Sequence, residues 1–184
     1  MKMRVITGTA KGRKLETLRG EDVRPTTDRI KEAIFSIVHF SIEGRKFLDL
    51  YAGSGQMGIE ALSRGAKESV FVDFSRESIQ IIKTNLKNTK LEENARVINM
   101  DSNNFIETSN EKYDIVFLDP PYGKGILQNM LPKITKIMNK SGIIICENPQ
   151  NEELDQEIND FTLDRFYRYG KIKVSIYCHK DVIG

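Results

Sequence analysis

The stretch Phe47-Leu-Asp-Leu-Tyr-Ala-Gly-Ser-Gly-Gln-Met-Gly-Ile-Glu-Ala-Leu62 decides the fold. Phe47 to Tyr51 reads as a short apolar strand interrupted by Asp49. A tight Gly53-Ser54-Gly55 turn follows, and Ile59, Ala61 and Leu62 then open a helix that stops at Gly65. Strand, glycine turn and helix in that order form the first unit of a doubly wound sheet. The glycines let the backbone pass close to a ligand, and the helix start offers N–H groups without intrahelical partners. A nucleotide-like molecule suits such a turn.

Gly53, Gly55 and Gly58 also satisfy the G-x-G-x-x-G spacing of dinucleotide sites. The pattern alone is weak, and Asp49 argues against a pyrophosphate, because it places negative charge beside the turn. A ligand carrying an ammonium or sulfonium group tolerates that carboxylate far better. The charge points away from NAD and towards S-adenosyl-L-methionine.

Outside this stretch the chain keeps alternating strand and helix. Ser69 to Asp73, Arg96 to Asp101, Tyr113 to Asp119 and Gly142 to Glu147 read as strands. Ser75 caps a helix whose inner face is Ile79, Ile82 and Leu86. The pattern predicts a helix over 126–138 that splits or kinks at Pro132, and an acidic helix around Leu154 to Ile158. Leu163 to Tyr169 and Ile172 to Cys178 flank Gly170 as an antiparallel hairpin. Ahead of the glycine strand, Arg24-Pro25-Thr26-Thr27-Asp28 starts a helix with Ile30, Ala33, Ile34, Ile37 and Val38 on one face. Arg4-Val-Ile-Thr and Lys14 to Leu18, separated by Gly8 to Gly12, suggest a hairpin at the amino end. The expected architecture is α/β and Rossmann-like: a seven-stranded mixed sheet with helices on both faces, closed by the antiparallel hairpin. Residues 1–184 are read as one domain, with 1–24 as a basic extension and 25–184 as the catalytic core.

At 184 residues the chain is long enough to bury a proper core. No apolar run approaches the roughly 20 residues that cross a bilayer, and the first residues lack the apolar centre of a signal peptide. Cys146 and Cys178 lie in apolar runs and read as reduced core thiols without metal-ligand spacing. The cytoplasm is the expected compartment, and no membrane partner is expected. The net charge of +2 hides an asymmetry, since nine basic residues face four acidic ones between Met1 and Lys31. A segment that binds a polyanion has this character, although a solvated basic surface gives the same counts.

Asp49, Asp73, Asp101 and Asp119 all fall at carboxyl ends of strands, where open α/β sheets bind ligands. For S-adenosyl-L-methionine each has a distinct task. Asp73 accepts the ribose hydroxyls, Asp101 or the backbone of Ser102 meets the adenine amino edge, and Phe74 covers an adenine face. Asp49 lies near the methionine ammonium, and the ligand rests on Ala52, Gly53, Ser54 and Gly55. Helix capping is the ordinary fate of one such Asp, and clustered carboxylates also suit Mg²⁺. Four acids in a row from separate strands, without a phosphate-binding lysine motif, favour the organic ligand and no metal.

Asp119-Pro120-Pro121-Tyr122 is the most specific signal. Two prolines remove backbone donors and fix the exit of the strand. The Asp119 carboxylate and the Pro120 carbonyl then present acceptors beside the flat Tyr122 ring. Two acceptors and a ring fit an exocyclic amino group on a planar base. Alignment of that nitrogen with an electrophilic methyl group, more than a strong base, supplies the rate.

With Asp-Leu-Tyr-Ala-Gly-Ser-Gly upstream, Asp-Pro-Pro-Tyr resembles the amino-directed class of S-adenosylmethionine-dependent methyltransferases. Arg24-Pro-Thr-Thr-Asp-Arg-Ile-Lys-Glu32 and Gly53 to Gly65 narrow the resemblance to the RsmD family, bacterial 16S ribosomal RNA guanine-N2 methyltransferases. It runs from about Arg4 to the final hairpin. One departure is Asp73, where many relatives carry the longer Glu. The resemblance implies a guanine of 16S rRNA in the small subunit or its assembly intermediate as substrate and S-adenosyl-L-homocysteine as product; a monomer is the expected state. It also implies that the basic amino-terminal segment (Arg4, Lys11, Arg13 and Lys14), with Arg24 and Thr26, holds RNA. An adenine-N6 DNA methyltransferase, a non-catalytic RNA-binding assembly factor and an NAD-dependent oxidoreductase remain the alternatives.

Overall fold

The structure is a computed structural model that describes residues 3–18, 27–122 and 125–182. Among the described residues eight strands form a single sheet in the order β3-β2-β1-β4-β5-β8-β7-β6. They are β1 Lys46–Leu50, β2 Glu68–Asp73, β3 Ala95–Asn99, β4 Tyr113–Leu118, β5 Met138–Pro149, β6 Glu157–Ile158, β7 Phe161–Tyr169 and β8 Ile172–His179. The helices are α1 Asp28–Ile37, α2 Gln56–Ser63, α3 Arg76–Thr89, α4 Ser102–Thr108 and α5 Ile126–Ile134.

The first five strands are parallel, and β5, β8, β7 and β6 pair antiparallel. Their near-continuous apolar runs follow from cover on both faces. On one face Leu48, Leu50, Val70, Val72, Val116 and Leu118 pack with Phe105 of α4 and Leu127, Met130 and Leu131 of α5. On the other, Phe47, Ile115 and Phe117 meet Ile30, Ile34 and Phe35 of α1 and Met57 and Ala61 of α2. Phe35 and Phe47 stack with centroids 6.2 Å apart, which seats α1 on β1 as its apolar face suggests.

Strand order reverses between β1 and β4: the chain walks outward through β2 and β3, then returns to the other side of β1. The crevice at the carboxyl ends of β1 and β4 is therefore the topological switch point. Gly58 sets how closely α2 approaches this sheet. A Cβ there would stand 2.3 Å from a Phe71 ring carbon and 2.6 Å from Ser69 Oγ, so only glycine fits.

The sheet departs from the seven strands expected. Residues 154–158 form no helix; Glu157 and Ile158 pair with Thr162 and Phe161 as a two-residue edge strand. Gln156 is captured by β7, its carbonyl accepting from the Leu163 amide at 2.8 Å. Burial of Ile158 in the core then outweighs what one acidic helical turn offers. The third strand ends at Asn99, short of Asp101. Pro132 sits inside α5, and the helix ends two residues beyond it, passing into a 3-10 turn over Thr135–Ile137. The amino-terminal hairpin is reduced to one bridge, Arg4 to Lys14, with Val5 and Leu15 amides donating to the Arg13 and Met3 carbonyls. Thr27 caps α1 through the Ile30 amide. Cys146 is buried, Cys178 half-buried, and both are free thiols.

A buried network straps the amino-terminal segment to the core. The Glu60 carboxylate, fully buried, accepts from the Ile6 amide at 2.8 Å, the Thr7 amide at 3.0 Å and Arg64 Nε at 2.8 Å. Lys31, also fully buried, donates from Nζ to the Arg4 carbonyl at 2.7 Å. Further along, the Asn85 amide donates to the Glu16 and Ser54 carbonyls at 3.0 and 2.9 Å, carrying the segment across α3 to the glycine turn. Among the described residues no helix is long and apolar enough to cross a membrane.

Candidate active site

Parity along the strands puts four acids on one face of the sheet. Asp49 of β1 is paired with Phe71 of β2 and Phe117 of β4. Two residues beyond those partners lie Asp73 and Asp119, and side chains two apart share a face. Leu118 of β4 pairs with Cys146 of β5, so one further step sets Asp119 beside Glu147. The acids at or near the carboxyl ends of β2, β1, β4 and β5 thus gather on one face of the sheet at the switch point.

Asp49 is 1% exposed, and its Oδ2 accepts from the Gly58 amide at 3.0 Å. Gly58 is in the first turn of α2, so Asp49 caps that helix from a neighbouring strand and meets its positive end. Burial, with the Asp73 charge adding to it, lifts the Asp49 carboxyl to about 7, while the Gly58 bond opposes the rise. A cationic ligand group beside it would restore the charged form.

The turn between them is built from positive dihedrals. Tyr51, Gly53 and Gly55 have φ of 70°, 55° and 77°. For Tyr51 this left-handed conformation is strained; its amide and that of Ala52 share the Val72 carbonyl at 3.1 and 3.0 Å. Asp73 holds the turn: Oδ2 accepts from the Gly53 amide at 2.8 Å and Oδ1 from the Ser75 amide at 2.9 Å. Ser54 turns inward, its hydroxyl 3.5 Å from the Met3 sulfur. Phe74 is 74% exposed at the rim, and Asn99 Nδ2 fixes its carbonyl at 2.8 Å.

Asp101 takes the capping role common for such residues, its Oδ1 accepting from the Asn103 and Asn104 amides at 3.0 and 3.2 Å. Ser102, the first residue of α4, is buried.

At the other side of the crevice Pro120 is buried, while Pro121 and Tyr122 are exposed. A small recess is lined by Pro120, Pro121, Tyr122, Ile126, Leu127 and Glu147. Glu147 is 2% exposed, and the Tyr122 hydroxyl donates to its Oε1 at 3.3 Å. Burial first, then the charges of Glu147 and Asp49, push the Asp119 carboxyl well above the usual carboxylate range. Glu147 is the residue that sequence reasoning missed. Its signal in the chain is an acid ending a strand, the same signal that marks the four Asp residues.

The residues assigned to RNA are more dispersed. Lys11 and Lys14 are exposed on the amino-terminal segment. Arg13 donates to the Asn88 carbonyl at 2.8 Å and so helps tether that segment to the end of α3. Arg4, with a 64% exposed side chain, lies 3.7 Å from Asp28. Arg24 and Thr26 lie outside the described residues.

Residues 3–178 match the family described as Conserved hypothetical protein 95. Ribosomal RNA small subunit methyltransferase D of Haemophilus influenzae is 41% identical over 149 residues, covering 79% of this chain and 72% of its own. The chain belongs to the RsmD family. Family identity extends over nearly the full length. The Bacillus subtilis protein YlbH is 38% identical over 180 residues, 95% of this chain and 98% of its own. Among solved structures, Escherichia coli yhhF superposes with a TM-score of 0.87 at 30% identity, covering 97% of this chain and 98% of its own. The RsmD fold is thus the Rossmann-like architecture read from the glycine stretch, with one more strand than expected.

Proposed function

We propose that this chain transfers a methyl group from S-adenosyl-L-methionine to the exocyclic N2 amino group of a guanine in 16S ribosomal RNA. The observation that carries the proposal is the pairing of β1 with β4, whose last registered pair, Leu50 and Leu118, sends the chain into the glycine turn on one strand and into Asp119-Pro120-Pro121-Tyr122 on its neighbour. Membership of the RsmD family supports the RNA substrate.

The residues around the glycine turn fit the cofactor. Asp49 faces the ammonium, and its raised affinity for protons turns that cation into a favourable partner. Asp73 keeps lone pairs for the ribose hydroxyls while it anchors the Gly53 and Ser75 amides. Ala52, Gly53, Ser54 and Gly55 supply backbone without intruding side chains, and Phe74 offers a ring for the adenine. Ser102 backbone, positioned by the Asp101 cap, meets the adenine amino edge. When bound, S-adenosyl-L-methionine supplies an electrophilic methyl on its sulfonium sulfur.

Across the crevice, Asp119 and the Pro120 carbonyl accept the two N–H bonds of the target amino group, and Tyr122 stacks on the base. Pinning both N–H bonds turns the nitrogen lone pair towards the crevice. Asp119, half-buried in an acidic corner that raises its proton affinity, takes the proton released on transfer. Lys11, Arg13 and Lys14, together with Arg4, add phosphate contacts on the amino-terminal strap; Arg24 and Thr26 are assigned to the same RNA face from sequence. The small subunit or its assembly intermediate presents the base to a monomer in the cytoplasm.

Labelled S-adenosyl-L-methionine incubated with unmodified small subunits, naked 16S RNA and DNA tests this reading. Nucleoside mass spectrometry should find N2-methylguanosine in the RNA. N6-methyladenine, or no transfer to any of the three, overturns it.

A further inference from the structure

The reacting corner holds one acid more than positioning an amino group demands. Asp119 and Glu147 each follow directly on the last registered pair of β4 and β5, Leu118 with Cys146, and the Glu147 charge acts on Asp119. Glu147 is 2% exposed, yet it lines the same recess as Pro120, Pro121 and Tyr122. Glu147 is buried and Asp119 half-buried, and the charge of Glu147 is near enough to raise the proton affinity of Asp119. Two acceptors on neighbouring strands match one purine edge. Guanine presents N1–H directly beside its N2 amino group, so adjacent acceptors on the protein meet adjacent donors on the base. Adenine presents an amino group beside an N1 lone pair.

We infer that Glu147 is a specificity-determining residue, accepting the N1–H of the target guanine while Asp119 and the Pro120 carbonyl hold its N2 amino group. The inference rests on the methyl-transfer reading of the crevice. The Tyr122 hydroxyl, donating to Glu147 Oε1 at 3.3 Å, orients the carboxylate and ties the stacking ring to the edge-reading acid. A purine with a lone pair at N1 would set an acceptor against an acceptor inside a buried corner, a mismatch that disfavours its binding and its reaction alike.

The test uses target RNA in which the guanine, located by mass spectrometry of the wild-type product, is replaced by ligation with 2,6-diaminopurine or 2-aminopurine. Both analogues keep the 2-amino group and lose the N1 proton; the second also lacks any group at position 6. Wild-type enzyme should methylate guanine at least about 100-fold more efficiently than either, in kcat/KM. Glu147→Gln should lower guanine methylation and narrow that preference by about tenfold or more, because the Gln amide donates to the N1 lone pair. Calorimetric affinity for S-adenosyl-L-homocysteine should stay within about twofold of wild type, a sign that the fold is retained. Equal use of guanine and both analogues by wild type would overturn the inference, as would equal losses on all three in the variant. If Glu147→Gln fails to fold, the wild-type comparison decides alone. Absence of N2-methylguanosine from the wild-type reaction would instead strike the underlying reading.

Discussion

Asp119 and Glu147 occupy the step just past Leu118 and Cys146, the last registered pair of β4 and β5. Two neighbouring strands thus bring acids 28 positions apart in sequence to one corner. The Tyr122 hydroxyl bridges to the second of them. This arrangement makes the corner after β4 an acceptor-rich recess with a rigid proline wall.

On the proposed mechanism, Asp119→Ala removes an acceptor for the reacting amino group. Methyl transfer should fall by about 10³-fold or more, as when a positioned transition-state partner is lost. RNA affinity should change little, because phosphate contacts dominate it. Filter binding and single-turnover kinetics separate the two, and unaltered turnover would remove the positioning role.

The protonation of Asp119 also sets a pH profile. Burial and the charges of Glu147 and Asp49 raise its carboxyl, so the free enzyme holds the neutral form at acidic pH. On the proposed mechanism transfer needs the acceptor form, and kcat/KM should therefore climb as pH rises through that raised value. In Glu147→Gln one of the causes is gone, and the climb should move to lower pH. A profile that is flat and identical in both proteins would contradict the coupling.

Asp49 gives a stability prediction with a definite sign. Its folded carboxyl titrates at about 7 against an ordinary 3.8, so the folded state holds the extra proton. The stability this adds is complete below the unfolded value and fades as pH rises towards 7. Asp49→Asn keeps an acceptor for the Gly58 amide and never ionises. Between about pH 4 and pH 8 its stability relative to wild type should improve by a few kcal/mol, because each tenfold rise in proton affinity is worth about 1.4 kcal/mol. Urea melts at both pH values measure this. The same variant should bind S-adenosyl-L-methionine at least about tenfold more weakly by calorimetry, since the ammonium loses its counter-charge.

Gly58→Ala tests how the turn is held. The added methyl meets the Phe71 ring and Ser69 Oγ well inside contact distance, so α2 must move away from β2. A loss of about 1–3 kcal/mol is expected from overpacking. Cofactor affinity should drop with it, because the Asp49 bond to the residue 58 amide moves as well. Wild-type stability in chemical denaturation would refute the close approach.

Much of this is legible in the chain. The apolar strands ending in Asp49, Asp73 and Asp119 announce themselves because both sheet faces are covered, and the proline pair after β4 has few other uses. What sequence hides lies in register and in local competition. Glu147 ends a strand as plainly as Asp119 does, but only the pairing of β4 with β5 makes it a neighbour. Sequence suggests Asp101 as a ligand contact, whereas its carboxylate first satisfies two amides of α4. It suggests Arg13 as an RNA contact, whereas part of that guanidinium is engaged by the Asn88 carbonyl. The acidic turn near Ile158 loses its helix to an edge pairing with β7.

The most direct test of the account is a structure of the protein with S-adenosyl-L-homocysteine bound. The sulfur should open towards Asp119, Pro120 and Tyr122, leaving space for a base whose amino nitrogen would come within about 3–3.5 Å of a methyl group on that sulfur. A ligand seated away from the Gly53–Gly55 turn, or one whose sulfur faces a wall that shuts it off from Asp119, would contradict the shared crevice.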